Sequence, residues 1–101
     1  MNANEMRAIA EKAGRAEYEQ KAYEYFDKKI REAAEKGLTR IYFSFDGGYK
    51  DPDTGKWVGG NVTHITREDG KDHYRRLGFK FEYVGQVGGV WQARDQEDIV
   101  W

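Results

Sequence analysis

The spacing of apolar residues changes period close to Gly37, and that change restricts the chain to folds that mix helix and sheet. Upstream, Tyr18, Ala22, Tyr25, Phe26, Ile30, Ala33 and Ala34 recur at helical intervals. Downstream, Ile41, Phe43 and Phe45 alternate with Arg40, Tyr42 and Ser44, the period of a half-buried strand. Gly37 between them suits the left-handed residue that ends a helix. One helical face must therefore pack on one strand face that follows it almost at once.

The helical region covers residues 1–37. Asn2 with Glu5 three positions on forms a capping pair, and Met6, Ile9, Ala10 and Ala13 continue the rhythm. Gly14 costs about 1 kcal/mol of helix propensity relative to alanine. Two readings stay open there: one long helix with a weak point, or a short helix leading into a principal one at 16–36. Glu17–Lys21, Glu24–Lys28 and Glu32–Lys36 are i,i+4 pairs, each worth about 0.2–0.5 kcal/mol. On the principal helix, Tyr18, Ala22, Phe26, Ile30 and Ala33 are expected to face inward and Tyr23 outward.

Residues 38–101 read as a sheet region interrupted by a long loop at 46–60. Five of the twelve glycines and the single proline lie in that loop. Asp51, Pro52, Asp53, Thr54 and Gly55 form a strong turn sequence, around which Tyr49 to Trp57 would close a loose hairpin. Residues 61–65 are a short strand candidate. Thr66 with Asp69 opens a second, short helix with Tyr74 and Leu77 inward, ending at Gly78 and weakened by Gly70. Phe79, Phe81 and Tyr83 alternate as a strand, with 90–93 returning antiparallel. Asp95, Glu97 and Asp98 read as a solvated turn or edge, and Ile99, Val100 and Trp101 as an edge strand or a segment tied to the core. The expectation is one α+β domain over 1–101: an N-terminal amphipathic helix or helix pair, an antiparallel sheet of three to five strands, and a second short helix before a C-terminal hairpin.

Composition narrows the function classes. The absence of cysteine removes disulfides, thiol nucleophiles and thiolate metal sites. No run of apolar residues is long enough to span a bilayer, and no secretory-type apolar run opens the chain, so a cytoplasmic location without membrane partners is expected. A formal net charge of -1 offers no footprint for a nucleic-acid backbone. Phe79, Phe81 and Tyr83 alternate with Lys80 as stacking sheets do, but Lys80 and Glu82 cancel, which argues against nucleic acid as a partner.

Catalytic and metal motifs are weak. Ser44, His64 and Asp72 carry no nucleophile motif. Asp46, Asp51 and Asp53 lack the spacing of a calcium loop, and Gly47-Gly48 and Gly59-Gly60 match no phosphate-binding fingerprint. No cofactor and no enzymatic activity are expected. Tyrosine and tryptophan, by contrast, exceed what a thin core needs, and both are favoured at interfaces. Tyr49, Lys50, Trp57, Trp91, Trp101 and Tyr23 are the candidate binding residues. A partner protein or self-association as a dimer or higher oligomer would use them. The alternatives are an oligomeric sponge for a small nucleotide, a weak single-strand binder and a small hydrolase.

Ala33-Ala34-Glu35-Lys36-Gly37, the strand at 41–45, Leu77-Gly78-Phe79-Lys80-Phe81 and the ending Ile99-Val100-Trp101 resemble the layout of small orphan proteins encoded by tailed bacteriophages. The resemblance implies a non-enzymatic protein of the host cytoplasm that binds a host or viral protein, or sequesters a nucleotide signal in antiviral defence. It supplies no site residue.

Overall fold

The computed structural model describes residues 1–88 and 94–101. Its first element is a single uninterrupted helix, α1 (Ala3–Glu35). The Asn2 side chain accepts the Glu5 N–H at 2.9 Å, so the expected N-cap forms. At the other end Gly37 takes φ 83°, with the Leu38 N–H on the Ala33 carbonyl and the Gly37 N–H on the Ala34 carbonyl. Both hydrogen bonds of a Schellman stop are present. Of the two readings at Gly14, the structure takes the long helix.

Five residues beyond the end of α1 the chain has already paired. β1 (Arg40–Tyr42) runs antiparallel to β5 (Arg94–Val100), which also pairs with β4 (Lys80–Val87). The sheet order is β1-β5-β4, so the last strand is central rather than an edge. The aligned row Ile41, Ile99, Phe81 faces the helices. The next row, Tyr42, Asp98, Glu82, lies on the opposite face, where Arg40 bridges Asp98 at 2.8 Å and Glu82 at 2.9 Å. Val84 is an extra residue at a bulge, and Tyr83 just before it projects into solvent.

The ladder of β1 is shorter than the predicted strand at 39–45. The alternation nonetheless continues, since Phe43 and Phe45 are both buried. The Phe43 N–H still reaches the Glu97 carbonyl, but its own carbonyl accepts from the Arg67 guanidinium rather than from a strand. The chain then turns into a separate two-stranded hairpin, β2 (Tyr49–Lys50) with β3 (Trp57–Val58), as the turn sequence predicted. The strand expected at 61–65 is instead a single helical turn, α2 (Gly60–Thr63), closed by His64 at φ 58°. Thr63 causes this: its hydroxyl is buried and donates to the Gly47 carbonyl at 2.9 Å, a tertiary contact that periodicity does not register.

α3 (Arg67–Arg76) opens on the Thr66–Asp69 capping box and ends at Gly78 in a second Schellman stop. Tyr74 is fully buried, as expected. Leu77 is 61% exposed, because the helix has ended before it and the turn carries it outward. Gly70 is not a weakness: a Cβ there would lie 2.4 Å from Cδ1 of Phe45, so only glycine lets α3 seat against that ring.

The core holds Ala22, Phe26 and Ile30 of α1 against Phe43, Phe45, Tyr49, Ile65, Tyr74 and Ile99. Both long helices cover one face of the sheet, giving the two-layer α+β arrangement. The return strand predicted at 90–93 lies outside the described residues. Asp95, Glu97 and Asp98 belong to the central strand rather than to a solvated turn. Their partners come from other elements: Tyr83 for Asp95, Arg67 and Lys71 for Glu97, and Arg40 for Asp98.

The first half of α1 departs from this packing. Buried residues on the helix begin at Ala22, and nearly everything before Tyr18 is exposed. The radius of gyration is 16.3 Å, against about 13 Å for a compact chain of this size. A space at Gly14 contains no atom within 4 Å of a built Cβ. Gly14→Ala is therefore expected to favour helix across this point by about 1 kcal/mol, measurable as slower amide exchange in residues 3–13.

Candidate functional site

The six candidate residues separate into two groups once folded. Tyr49 is 2% exposed and belongs to the core, since pairing of β2 with β3 turns its ring under α1. Tyr23 does not face outward either. Its ring stacks on Phe45 at 5.2 Å and on His73 at 3.8 Å, bridging α1 and α3. Burial pushes its phenol up to about 12 and pushes the His73 imidazole down. Trp101 is half-buried, its ring edge-on to Phe79 at 6.3 Å and its backbone N–H on the Thr39 carbonyl. Trp91 lies outside the described residues.

Lys50 and Trp57 are the pair that the fold presents. They sit opposite each other in the β2–β3 register, and Trp57 is 56% exposed. The indole is not loose. It rests on Gly48, where a Cβ would meet Cζ2 at 2.5 Å, and its edge meets the Tyr25 ring at 5.9 Å. Gly48 is thus a seat for an aromatic side chain. The Gly48 N–H is taken by Asp46 at 2.9 Å, and a Cβ at Gly60 would meet the Asp46 carbonyl at 2.6 Å. The glycine pairs are occupied by the loop's own packing.

Tyr25 connects this tryptophan to a groove of about 690 Å³ between α1 and the hairpin. Lys21, Tyr25, Lys28, Lys29, Lys50 and Asp51 line it, with Glu24 and Glu32 at the side. The Lys29 ammonium lies 4.8 Å from the centre of the Tyr25 ring, so a cation, a phenol and an indole follow one another along the rim. Lys21 is held by Glu17 at 3.2 Å, which raises its pKa. In the sequence Tyr25 is one of the residues at helical intervals on α1 and is not among the candidate binding residues. Its spacing from Ala22 and Lys29 on α1 was visible, but the hairpin that meets it was not.

Catalytic chemistry finds little geometry to use. Ser44, His64 and Asp72 are all exposed, and no hydrogen bond joins any two of them among those described. His73 is stacked between rings rather than aimed at a nucleophile, and the Tyr74 hydroxyl donates to Asp27 at 2.8 Å as a core hydrogen bond. Asp51 accepts the Asp53 N–H at 2.8 Å, the local bonding of a turn. Among the described residues no three His, Asp or Glu side chains gather as metal ligands would, and no helix is long and apolar enough to cross a membrane. Compared with known proteins, the chain matches no family model, no curated protein and no solved structure.

Proposed function

We propose that this chain is a non-catalytic protein-binding module whose contact surface is the ledge of Trp57, Tyr25 and Lys50 above the lysine-lined groove. One observation carries the reading. Trp57 is more than half exposed, yet it is held in place by Gly48 and Tyr25, and it needs no ordering when a partner arrives. A rigid exposed indole beside Lys28, Lys29 and Lys50 suits an acidic segment that carries an aromatic or aliphatic side chain. The packed state of the glycine pairs favours this over capture of a nucleotide by backbone N–H groups. The resemblance to phage-encoded proteins makes a host or viral protein the class of partner, met in the host cytoplasm, and the reading includes self-association of the chain.

A random peptide display library panned against the immobilised protein tests the proposal. Enrichment of acidic peptides around an aromatic or aliphatic anchor is expected. Trp57→Ala should weaken their binding by about tenfold or more, at the level of a buried aromatic anchor, while Leu77→Ala, distant in sequence and also exposed, leaves it unchanged. No enriched motif, or peptides that bind Trp57→Ala equally well, would overturn the assignment.

A further inference from the structure

The exposed half of α1 carries an apolar stripe that the body does not use. Met6, Ile9 and Ala13 follow one another at helical spacing, and Met6 and Ile9 are 41% and 60% exposed. The step from Met6 to Ala22 is about four and a half turns, so the stripe and the core-facing side of the same helix point nearly opposite ways. The side of this arm that does face the body is a different one. Ala8, Glu11, Lys12, Arg15 and Tyr18 line a groove that opens towards Val62 and His64 of the α2 turn. Among the described residues the stripe therefore has no partner that the opposite face of a continuous helix could bring to it. A helical segment this short is marginal in water without tertiary support.

We infer that the arm pairs with the arm of a second copy of this chain, antiparallel and two-fold symmetric, with Met6 of each copy against Ile9 of the other. The charges beside the stripe select this occupant and this register. Glu5 and Lys12 lie one helical repeat apart on one flank, and Ala3 and Ala10 lie on the other flank. With Met6 facing Ile9 across the axis, Glu5 of each copy meets Lys12 of the other, twice per dimer, and the alanine flank brings no charge into opposition. Sliding the arms by one heptad to a longer overlap sets Lys12 against its own copy. A parallel pair would need Glu17 opposite Lys12, but Glu17 already holds Lys21 at 3.2 Å. Lys12 forms no ion pair within the described residues, and the exposed Glu5 carboxylate has the N-terminal ammonium at 3.8 Å and the Asn2 amide at 3.3 Å, with no side-chain cation. Antiparallel arms also leave the two bodies at opposite ends, turned away from the contact.

The overlap spans residues 2–13, about 18 Å of helix. A contact of that length between helices about 10 Å wide buries less than the roughly 1,200 Å² typical of stable complexes, so the dimer is one that dissociates on dilution. Sedimentation velocity of the full chain at low ionic strength, across a wide range of concentrations, tests the inference. Wild type should move from monomer to dimer as concentration rises, and Ile9→Glu should stay monomeric. Glu5→Lys alone and Lys12→Glu alone should each weaken self-association about tenfold by setting like charges together. An equimolar mixture of those two variants should form a heterodimer, since each substituted side chain then meets its opposite. Far-UV circular dichroism checks that each variant keeps its helix, and the mixture rescues only a lost contact, never a lost fold. Wild type monomeric throughout, dimerisation unaffected by Ile9→Glu, or a mixture that stays monomeric would overturn the antiparallel pairing.

Discussion

Phe26→Ala is expected to remove about 3–5 kcal/mol of stability, the cost of emptying a fully packed phenylalanine site. A domain of this size has only about 5–15 kcal/mol in total, so the variant should stand near the edge of unfolding at room temperature. Phe26 is 2% exposed and lies at the centre of the ring cluster. Its ring meets Phe43 at 5.2 Å, Tyr74 at 5.6 Å and Phe45 at 6.0 Å, which ties α1 both to α3 and to the segment that follows β1. Edge-on pairs of this kind add about 0.5–1.5 kcal/mol each beyond the area they bury. Collapse into the gap is obstructed, since Phe43 is itself braced by Phe81 at 4.8 Å and Phe45 by Tyr23 at 5.2 Å. Guanidinium denaturation measures the loss as a lower midpoint. Leu77→Ala is the control: at 61% exposure it should change stability by no more than about 0.5 kcal/mol, although the helical spacing alone places both residues inward. Equal losses from the two variants would contradict this core.

The second large effect is expected from Glu97→Gln. Glu97 is the shared counter-charge for two cations that α3 presses against the sheet, Lys71 at 2.9 Å and Arg67 at 3.2 Å. Both cations also lie over rings, Arg67 over Phe43 at 4.8 Å and Lys71 over Phe81 at 5.4 Å. The Lys71 side chain is only 12% exposed. Removing the carboxylate charge leaves that ammonium largely desolvated and opposed by a neighbouring guanidinium. The cost should be about 1–3 kcal/mol, below that of a fully buried pair because water still reaches Arg67.

The same group links stability to pH. Hydrogen bonds and attraction from Lys71 and Arg67 hold Glu97 below its ordinary 4.5 despite the opposing effect of burial. A depressed carboxylate means that the unfolded chain binds the proton first as pH falls. The contribution of Glu97 is thus complete above pH 4.5 and is lost as pH drops through its lower folded value. His73 acts in the same direction at a higher range. Burial lowers its imidazole from the ordinary 6.5, so the unfolded chain again takes up the proton first, and stability declines as pH falls from 6.5. Denaturation midpoints followed downward from pH 7 should fall in both ranges. Glu97→Gln should flatten the part below pH 4.5 and leave the part nearer 6.5 in place.

Much of the fold was legible because its signals are local. Asn2 with Glu5, Thr66 with Asp69, and the glycines at 37 and 78 all act on backbone groups within a few residues, and each does in the structure what its position implies. The turn at 51–55 is of the same kind. The candidate site was legible only in part. Lys50 and Trp57 were identifiable as exposed turn-flanking residues, whereas Tyr49, directly after Gly47-Gly48, was not identifiable as core. Tyr25 entered the site only because the hairpin folds back onto α1.

The amino-acid sequence by itself determined the C-terminal stop of α1, the start and stop of α3, which strand follows α1, and that the chain mixes helix with antiparallel sheet. Those features depend on capping and side-chain periodicity, which act over a turn or two of backbone. Tertiary structure decided which rings are buried and which acids are paired. Tyr74 finds Asp27 across 47 residues of chain and Arg40 finds Asp98 across 58, so no local pattern encodes either partner. It also decided that the acidic run at 95–98 forms the central strand, because the cations that neutralise it come from α3 and β1. The outward apolar stripe of the N-terminal arm belongs to both levels: its spacing is local, but its isolation follows from the helix continuing straight through Gly14.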